Sequence, residues 1–161
     1  MSFIDVDSED PTGPTFYNLL SAVGLGCPNA IEDVKVVQFF LQRMFSLPQF
    51  KLQKPWGTMV VDGKFGPVTR AWILRSQMLC KQGGNNVLVD GVVDKAGNDE
   101  SNRVSSISHT DYHIRMLNNV LRKADTQIYK SLATNPIVPQ DVRQIFQQIN
   151  AQGPPMNFGN N

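Results

Sequence analysis

Apolar residues recur at helical spacing in four stretches of this chain, and the segments between them are too rich in Gly, Pro, Asn, Asp and Ser to continue those patterns. The fold is thereby restricted to helices joined by irregular connections. In residues 31–45 (IEDVKVVQFFLQRMF), Val34, Val37, Leu41, Met44 and Phe45 share one stripe, and Glu32 and Asp33 lie in the first turn, where the helix dipole favours negative charge. Residues 67–80 open on Pro67 directly after Gly66, where a missing N–H costs nothing, and carry Ala71, Trp72, Leu74 and Met78. Residues 111–133 space Ile114, Leu117, Leu121, Ala124, Ile128 and Leu132 as one long helical seam. Residues 139–150 start at Pro139, set Val142, Ile145, Phe146 and Ile149 on one face, and stop before Gly153-Pro154. A short helix is also expected near 16–22, and VLVDGVV at 87–93 reads as a short strand or hairpin.

Between the first two helices lies Val60-Val61-Asp62-Gly63-Lys64-Phe65-Gly66-Pro67-Val68-Thr69-Arg70-Ala71. Asp62-Gly63 is a turn pair, because Gly supplies positive φ and Asp bonds its own downstream backbone. Phe65 is expected to enter the core, Gly66 to allow close passage, Pro67 to start the helix, and Thr69 to bond local backbone in its first turn. The element is a tight helix-entry device.

These residues also carry a resemblance. A helix of the form V-x-x-V-Q-x-x-L (Val34, Val37, Gln38, Leu41), then D-G-x-F-G-P-x-T-x-x-A, then Gln77, resembles the peptidoglycan-binding domain family over about residues 31–79. In place of that family's usual aromatic before Gln77 stands Ser76, and residues 46–59 make a longer connection than the compact form uses. Val89-Asp90-Gly91-Val92-Val93-Asp94-Lys95-Ala96-Gly97 echoes the first Asp-Gly turn 28 residues later, and Gly24-Leu25-Gly26-Cys27-Pro28-Asn29 resembles the Gly-rich entry of elaborated relatives, extending the likeness to about residues 20–125. The stretch from 126 onward resembles nothing known. The resemblance implies a peptidoglycan-binding-like helical bundle, and helical spacing adds to it two C-terminal helices, so the expected fold is mainly α with a Gly/Asp-rich loop that can hold a short hairpin. The expected organisation is an acidic tail at 1–16, one helical domain at 17–150 and a second tail at 151–161.

Size and charge narrow the function. At 161 residues, roughly 70% of the unfolded chain's surface can be buried, so neither a disulfide nor a structural metal is required. With 15 Lys+Arg against 14 Asp+Glu, the totals provide no general attraction for nucleic acid. There is no run of apolar residues long enough to span a membrane, so membrane insertion is not expected. The start, MSFIDVDSEDPTGPTF, is acidic and lacks the basic, then apolar, pattern of a secretory leader. The expectation is synthesis in the cytoplasm, with any delivery to the periplasm or wall by another route. Cys27 and Cys80 allow one bridge, although thiols so placed are more often buried small hydrophobes.

Catalytic chemistry finds little footing. Glu9 lies in the acidic tail, Glu32 in a first helical turn and Glu100 in a loop, none in a paired-carboxylate setting, and Asp90, Asp94 and Asp99 read as solvated turn residues. His109, Asp111 and His113 form an H-x-D-x-H arrangement that offers zinc ligands in principle, with half-exposed helix-start residues capped by Ser108 or Thr110 as the plainer alternative. No catalytic residue, metal or cofactor is therefore assigned. The ligand-binding candidates are Trp56, which can stack on a sugar face, Asp62 at the turn, and Lys64 and Arg70, which can meet the carboxylates of a stem peptide. Trp72 is expected in the core. The function the resemblance implies is a non-catalytic binding module for peptidoglycan. The alternatives are a protein-interaction or assembly module of secretion, toxin or phage type, and a small metal-dependent hydrolase using His109, Asp111 and His113.

Overall fold

The computed structural model describes residues 17–96 and 112–151, with the side chains of 149–151 left out. Five α-helices appear in the order α1 (Ile31–Met44), α2 (Pro67–Gln82), α3 (His113–Ala124), α4 (Thr126–Lys130) and α5 (Gln140–Ala151), with a 3-10 turn at Lys51–Gln53. The mainly α expectation holds. The helix α1 is central and packs against α2, α3 and α5. Beyond Ile31, which is exposed at its start, its apolar residues Val34, Val36, Val37, Phe39, Phe40, Leu41 and Met44 are buried all round, which suits a helix enclosed by three others.

An aromatic cluster marks the place where α5 meets α1. Phe146 lies 4.8 Å from Tyr17, 5.9 Å from Phe40 and 6.4 Å from Phe39, measured between ring centres. Tyr17 also stands edge-on to Tyr129 of α4 at 5.6 Å. Edge-to-face pairs of this kind add to the area buried, because a ring's positive edge meets its neighbour's negative face. A second aromatic contact, Phe45 on Trp72 at 5.3 Å, joins the end of α1 to α2.

Four expectations change. The long helix over 111–133 is two, because the chain breaks at Asp125, whose backbone leaves helical geometry (φ −138°, ψ 54°). Arg43 of α1 holds that break with a 2.7 Å ion pair to the Asp125 carboxylate, and Ala124, placed on the seam by spacing, is exposed. On α2 the buried face is Thr69, Trp72, Ile73, Ser76, Gln77 and Cys80, while Met78 is exposed and Leu74 half-buried. Apolar spacing misplaced that face because three of its residues are polar ones with buried partners. The short helix near 16–22 does not form, and VLVDGVV makes no hairpin. Instead Val23 and Val93 form an isolated antiparallel bridge, their N–H groups donating to each other's carbonyls at 3.0 and 2.8 Å.

What would have been helix at 17–23 is an irregular strap held by side chains. The Tyr17 N–H donates to Asn118 Oδ1 of α3 at 2.9 Å, and Asn118 Nδ2 donates back to the Tyr17 carbonyl at 3.2 Å. Asn18 pairs in the same two-way fashion with the backbone of Ala96, at 3.0 Å in each direction. Asp33, in the first turn of α1, accepts from the N–H groups of Leu20 and Ser21 and from the Ser21 hydroxyl at 2.8–3.0 Å. The Gly-rich entry is closed likewise: Asn29, at φ 51°, accepts from Gly24 N–H and donates to the Gly24 and Cys27 carbonyls. Cys27 and Cys80 are free thiols, the first half-buried and the second buried. Among the described residues no helix is long and apolar enough to cross a membrane. Of the tails expected at 1–16 and 151–161, Ala151 instead ends α5, and the remainder lies outside the described residues.

Because Phe146 touches three other rings and is fully buried, Phe146→Ala should cost about 3–5 kcal/mol of unfolding free energy in urea denaturation.

Candidate functional site

The turn at Asp62-Gly63 is fixed by one side chain, that of Gln38 in the middle of α1. The N–H groups of Asp62 and Gly63 both donate to Gln38 Oε1 at 2.9 Å. Gln38 Nε2 is shared among Asp62 Oδ1 (3.0 Å), the Lys64 carbonyl (3.1 Å) and Thr69 Oγ1 (3.1 Å). Asp62 Oδ1 accepts in addition from Lys64 N–H at 2.9 Å. These hydrogen bonds, that of the Lys64 amide foremost and then that of Gln38, hold the Asp62 carboxyl below its ordinary range. Gly63 has φ 78°, and a methyl there would come within 2.7 Å of Ile31 Cγ2, so both backbone and space demand glycine. Thr69, expected to bond local backbone, instead accepts from Gln38 Nε2 of the neighbouring helix through its hydroxyl oxygen.

The same device appears a second time. The N–H groups of Asp90 and Gly91 donate to Gln77 Oε1 at 3.1 and 2.9 Å, and Gln77 Nε2 donates to Asp90 Oδ1 (3.3 Å) and the Val92 carbonyl (2.9 Å). Asp90 Oδ1 accepts from Val92 N–H at 3.0 Å, and Gly91 has φ 76°. Apart from the bond to Thr69, which has no counterpart, Gln77 of α2 does at the second Asp-Gly turn what Gln38 of α1 does at the first. The sequence echo is thus a repeated structural unit: a helix whose buried glutamine grips the next Asp-Gly turn. The copies diverge afterwards. The first turn runs into α2, while the second leads to Val93 and its bridge with Val23.

The four candidate binding residues are spread around this framework. Lys64 and Arg70 are exposed, and Asp62 is exposed but engaged with Gln38 and the Lys64 amide. Arg70 and Leu74 lie beside Gly91 of the second turn, on one face of α2. The Trp56 loop sits on another face: Trp72 Nε1 donates to the Trp56 carbonyl at 3.0 Å, and Gly57 packs on Val68. Positions 68 and 72 are roughly 200° from 70 and 74 around a helix of 3.6 residues per turn. The backbone that carries Trp56 and the side chain of Arg70 are thus held on nearly opposite sides of α2. Trp56 is 63% exposed, and Trp72 is in the core as expected.

His113 is where exposure differs most from expectation. It is 4% exposed, at the start of α3, rather than half-exposed, because its ring turns inward onto α2. Ser76 Oγ donates to the Ile73 carbonyl at 2.8 Å, which leaves it to accept from His113 Nε2 at 2.7 Å. This bonding pattern assigns the proton to Nε2. The Nδ1 atom is buried and meets no donor among the described residues. Burial lowers the ring's pKa to about 3, so it stays neutral at physiological pH. Ser76, where the resembled family carries an aromatic, instead receives a ring from α3.

A serine hydroxyl 2.7 Å from an imidazole nitrogen has the spacing of a nucleophile and its base, but Ser76 is fully buried and its proton is committed to a helix carbonyl. The pair fastens α2 to α3. His109 and Asp111, the other members of the H-x-D-x-H arrangement, lie outside the described residues. Among the described residues no group of three His, Cys, Asp or Glu side chains is placed to hold a metal ion. Of the acidic loop residues, Asp90 is a turn residue as expected, burial first and Asp90 second raise the pKa of the Asp94 carboxyl, and Asp99 and Glu100 lie outside the described residues.

Sequence reasoning flagged Gln38 and Gln77 without giving them a role. It missed Asp33, Asn118 and Ser76 as partners altogether. The available signal was polarity inside a stripe: a Gln, Asn or Ser at a buried helical position has to find a partner, and a loop backbone is the usual one.

Two predictions follow from this geometry. Removing the glutamine strands the buried glycine N–H at each turn, and at the second the Asp90 N–H as well, whereas the Asp62 N–H keeps the Val60 carbonyl at 3.0 Å, so Gln38→Ala and Gln77→Ala should each lower unfolding free energy by roughly 1–3 kcal/mol in urea titrations. The second concerns acid. The unfolded His113 takes up a proton near its ordinary pKa of 6.5, which the folded ring refuses until about 3, so its contribution is complete above 6.5 and is lost as pH falls toward 3. Stability should drop by about 2 kcal/mol from this residue between pH 7 and pH 5, and His113→Phe should remove that part of the pH dependence.

No protein-family model, no curated protein and no solved structure matches this chain.

Proposed function

We propose that this protein is a non-catalytic binding module for bacterial cell-wall peptidoglycan. The observation that carries the proposal is the Asp62-Gly63 turn, gripped by Gln38 of α1 and tied through Thr69 to α2. A turn held at so many points presents its neighbours with little conformational freedom left to lose, which favours binding by a small exposed surface. Lys64 follows the turn directly and Arg70 stands one helical turn into α2, both exposed. In this scheme they meet the carboxylates of a stem peptide as charge-assisted hydrogen-bond donors. Asp62 serves as a positioning residue, since its carboxylate is already occupied by the Lys64 amide and Gln38. Trp56 would contribute sugar stacking from the flank of α2 rather than from the Arg70 face.

A second function, docking to a protein partner within an assembly, draws support from the exposed apolar side chains of Leu20, Leu25 and Ile31 around the entry to α1. The two are separable in one experiment. Purified protein should co-sediment with insoluble peptidoglycan sacculi, and Lys64→Ala and Arg70→Ala should each reduce retention roughly tenfold, the effect of losing one charge-assisted contact. Absence of retention, or retention indifferent to both substitutions, would overturn wall binding at this turn and leave the protein partner as the surviving function.

A further inference from the structure

Between Asp33 and Asp62 the chain contains no acidic residue, while Lys35, Arg43, Lys51 and Lys54 fall in that interval. Lys35 is paired with Asp141 and Arg43 with Asp125. Lys51 and Lys54 are exposed, and among the described residues neither forms an ion pair. Lys51 opens the 3-10 turn and Lys54 follows it, with Leu52 between them in the turn, its surface 96% exposed. A leucine with that much free surface is covered by no neighbour and protrudes. Trp56 follows at 63% exposure, with Pro55 between it and Lys54.

This tip is firmly built. The N–H groups of Phe50 and Lys51 donate to the Leu47 carbonyl at 3.0 and 2.9 Å, Gln53 N–H donates to the Phe50 carbonyl at 2.9 Å, and the Trp56 carbonyl is held by Trp72. Leu47 is buried and Phe50 packs against the core. The apolar side chains are therefore held out in water by an ordered backbone, where a looser loop would fold them inward.

We propose that residues 51–56 form a docking tip for an anionic lipid bilayer surface. Leu52 enters the boundary between headgroups and acyl chains, the Trp56 ring lies at headgroup level, and Lys51 and Lys54 reach lipid phosphates with their apolar stems along the interface. The net charge of the chain is only +1, so attraction to an anionic surface is local and depends on this acid-free stretch. A bilayer suits a lone protruding leucine because a fluid surface closes around it. A protein partner would need a pocket shaped for it, and protein hot spots sit within packed patches rather than on isolated tips. The attachment is peripheral and weak, of the one-anchor kind that is reversible.

The test uses the full-length chain and sedimentation with vesicles, of phosphatidylcholine alone or mixed with phosphatidylglycerol. Retention is expected on the mixed vesicles only, weakening with salt, together with a blue shift of Trp56 emission against the constant background of buried Trp72. Charge reversal in Lys51→Glu with Lys54→Glu should cut partitioning at least 25-fold, roughly fivefold for each lysine lost. Leu52→Ser should reduce it about tenfold. All three positions are exposed, so unfolding midpoints should match the parent and show that folding is retained. No retention on mixed vesicles, equal retention on phosphatidylcholine alone, or retention unchanged in the variants would each overturn the proposal. Binding to poly-glutamate without binding to vesicles would overturn it in favour of an acidic protein partner. Since sacculi contain no bilayer, failure here and failure of wall binding are distinguishable.

Discussion

Every backbone N–H and C=O taken out of water needs a partner, and several connections of this protein are buried in part, with no sheet among the described residues to supply one. The helices supply partners from their side chains instead. Gln38 and Gln77 each close an Asp-Gly turn, Asn118 pairs with both backbone groups of Tyr17, and Asp33 accepts from two successive amides of the strap. Each of these residues sits on a helix, so the loop it binds inherits the helix's position. If the glutamines were apolar, the turns would have no reason to lie where they do. The placement of α2 relative to α1 depends directly on this, since Gln38 bonds Thr69 as well as the turn that leads into α2.

The same economy explains the repetition. An Asp-Gly pair forms its tight turn from local bonds, the aspartate accepting from the amide two residues on in both copies. What it lacks is a partner for the glycine's N–H and, in the second copy, for the aspartate's own, the Asp62 N–H having the Val60 carbonyl besides Gln38. A glutamine side chain offers one acceptor and one donor group on a single amide plane, which matches two adjacent N–H groups and the nearby carboxylate and carbonyl. That chemical match recurs at different loop lengths, 24 residues from Gln38 to Asp62 and 13 from Gln77 to Asp90, because it depends on the turn and the helix rather than on the chain between.

Much of the fold was legible in the sequence, and the misses share a cause. Helices α1, α2 and α5 were readable from apolar spacing and from Pro67 and Pro139, because those signals are local. The inward side of α2 was not, since Thr69, Ser76 and Gln77 look like surface residues until their partners at Gln38, His113 and Asp90 are known. The break at Asp125 was hidden for the same reason: an aspartate in a helical pattern becomes a stopping point only when Arg43 of another helix binds it. His113 read as a helix-start residue because nothing in its neighbourhood announces that a serine 37 residues earlier will receive its ring. The candidate binding residues were half legible: the turn and its exposed cations are local features, whereas their distribution around α2 is not.

By itself the sequence determined the helical class, the glycine-dependent turns at Gly63 and Gly91, and the near-neutral charge, because periodicity, positive φ and composition are properties of short stretches. Only the tertiary structure decided that the echoing Asp-Gly segments are one device used twice, that His113 is a neutral core residue, and that Trp56 and Arg70 are held on different faces of α2. Those outcomes turn on contacts between residues far apart in the chain. Such contacts form only after the helices have packed and the buried polar groups have found their partners.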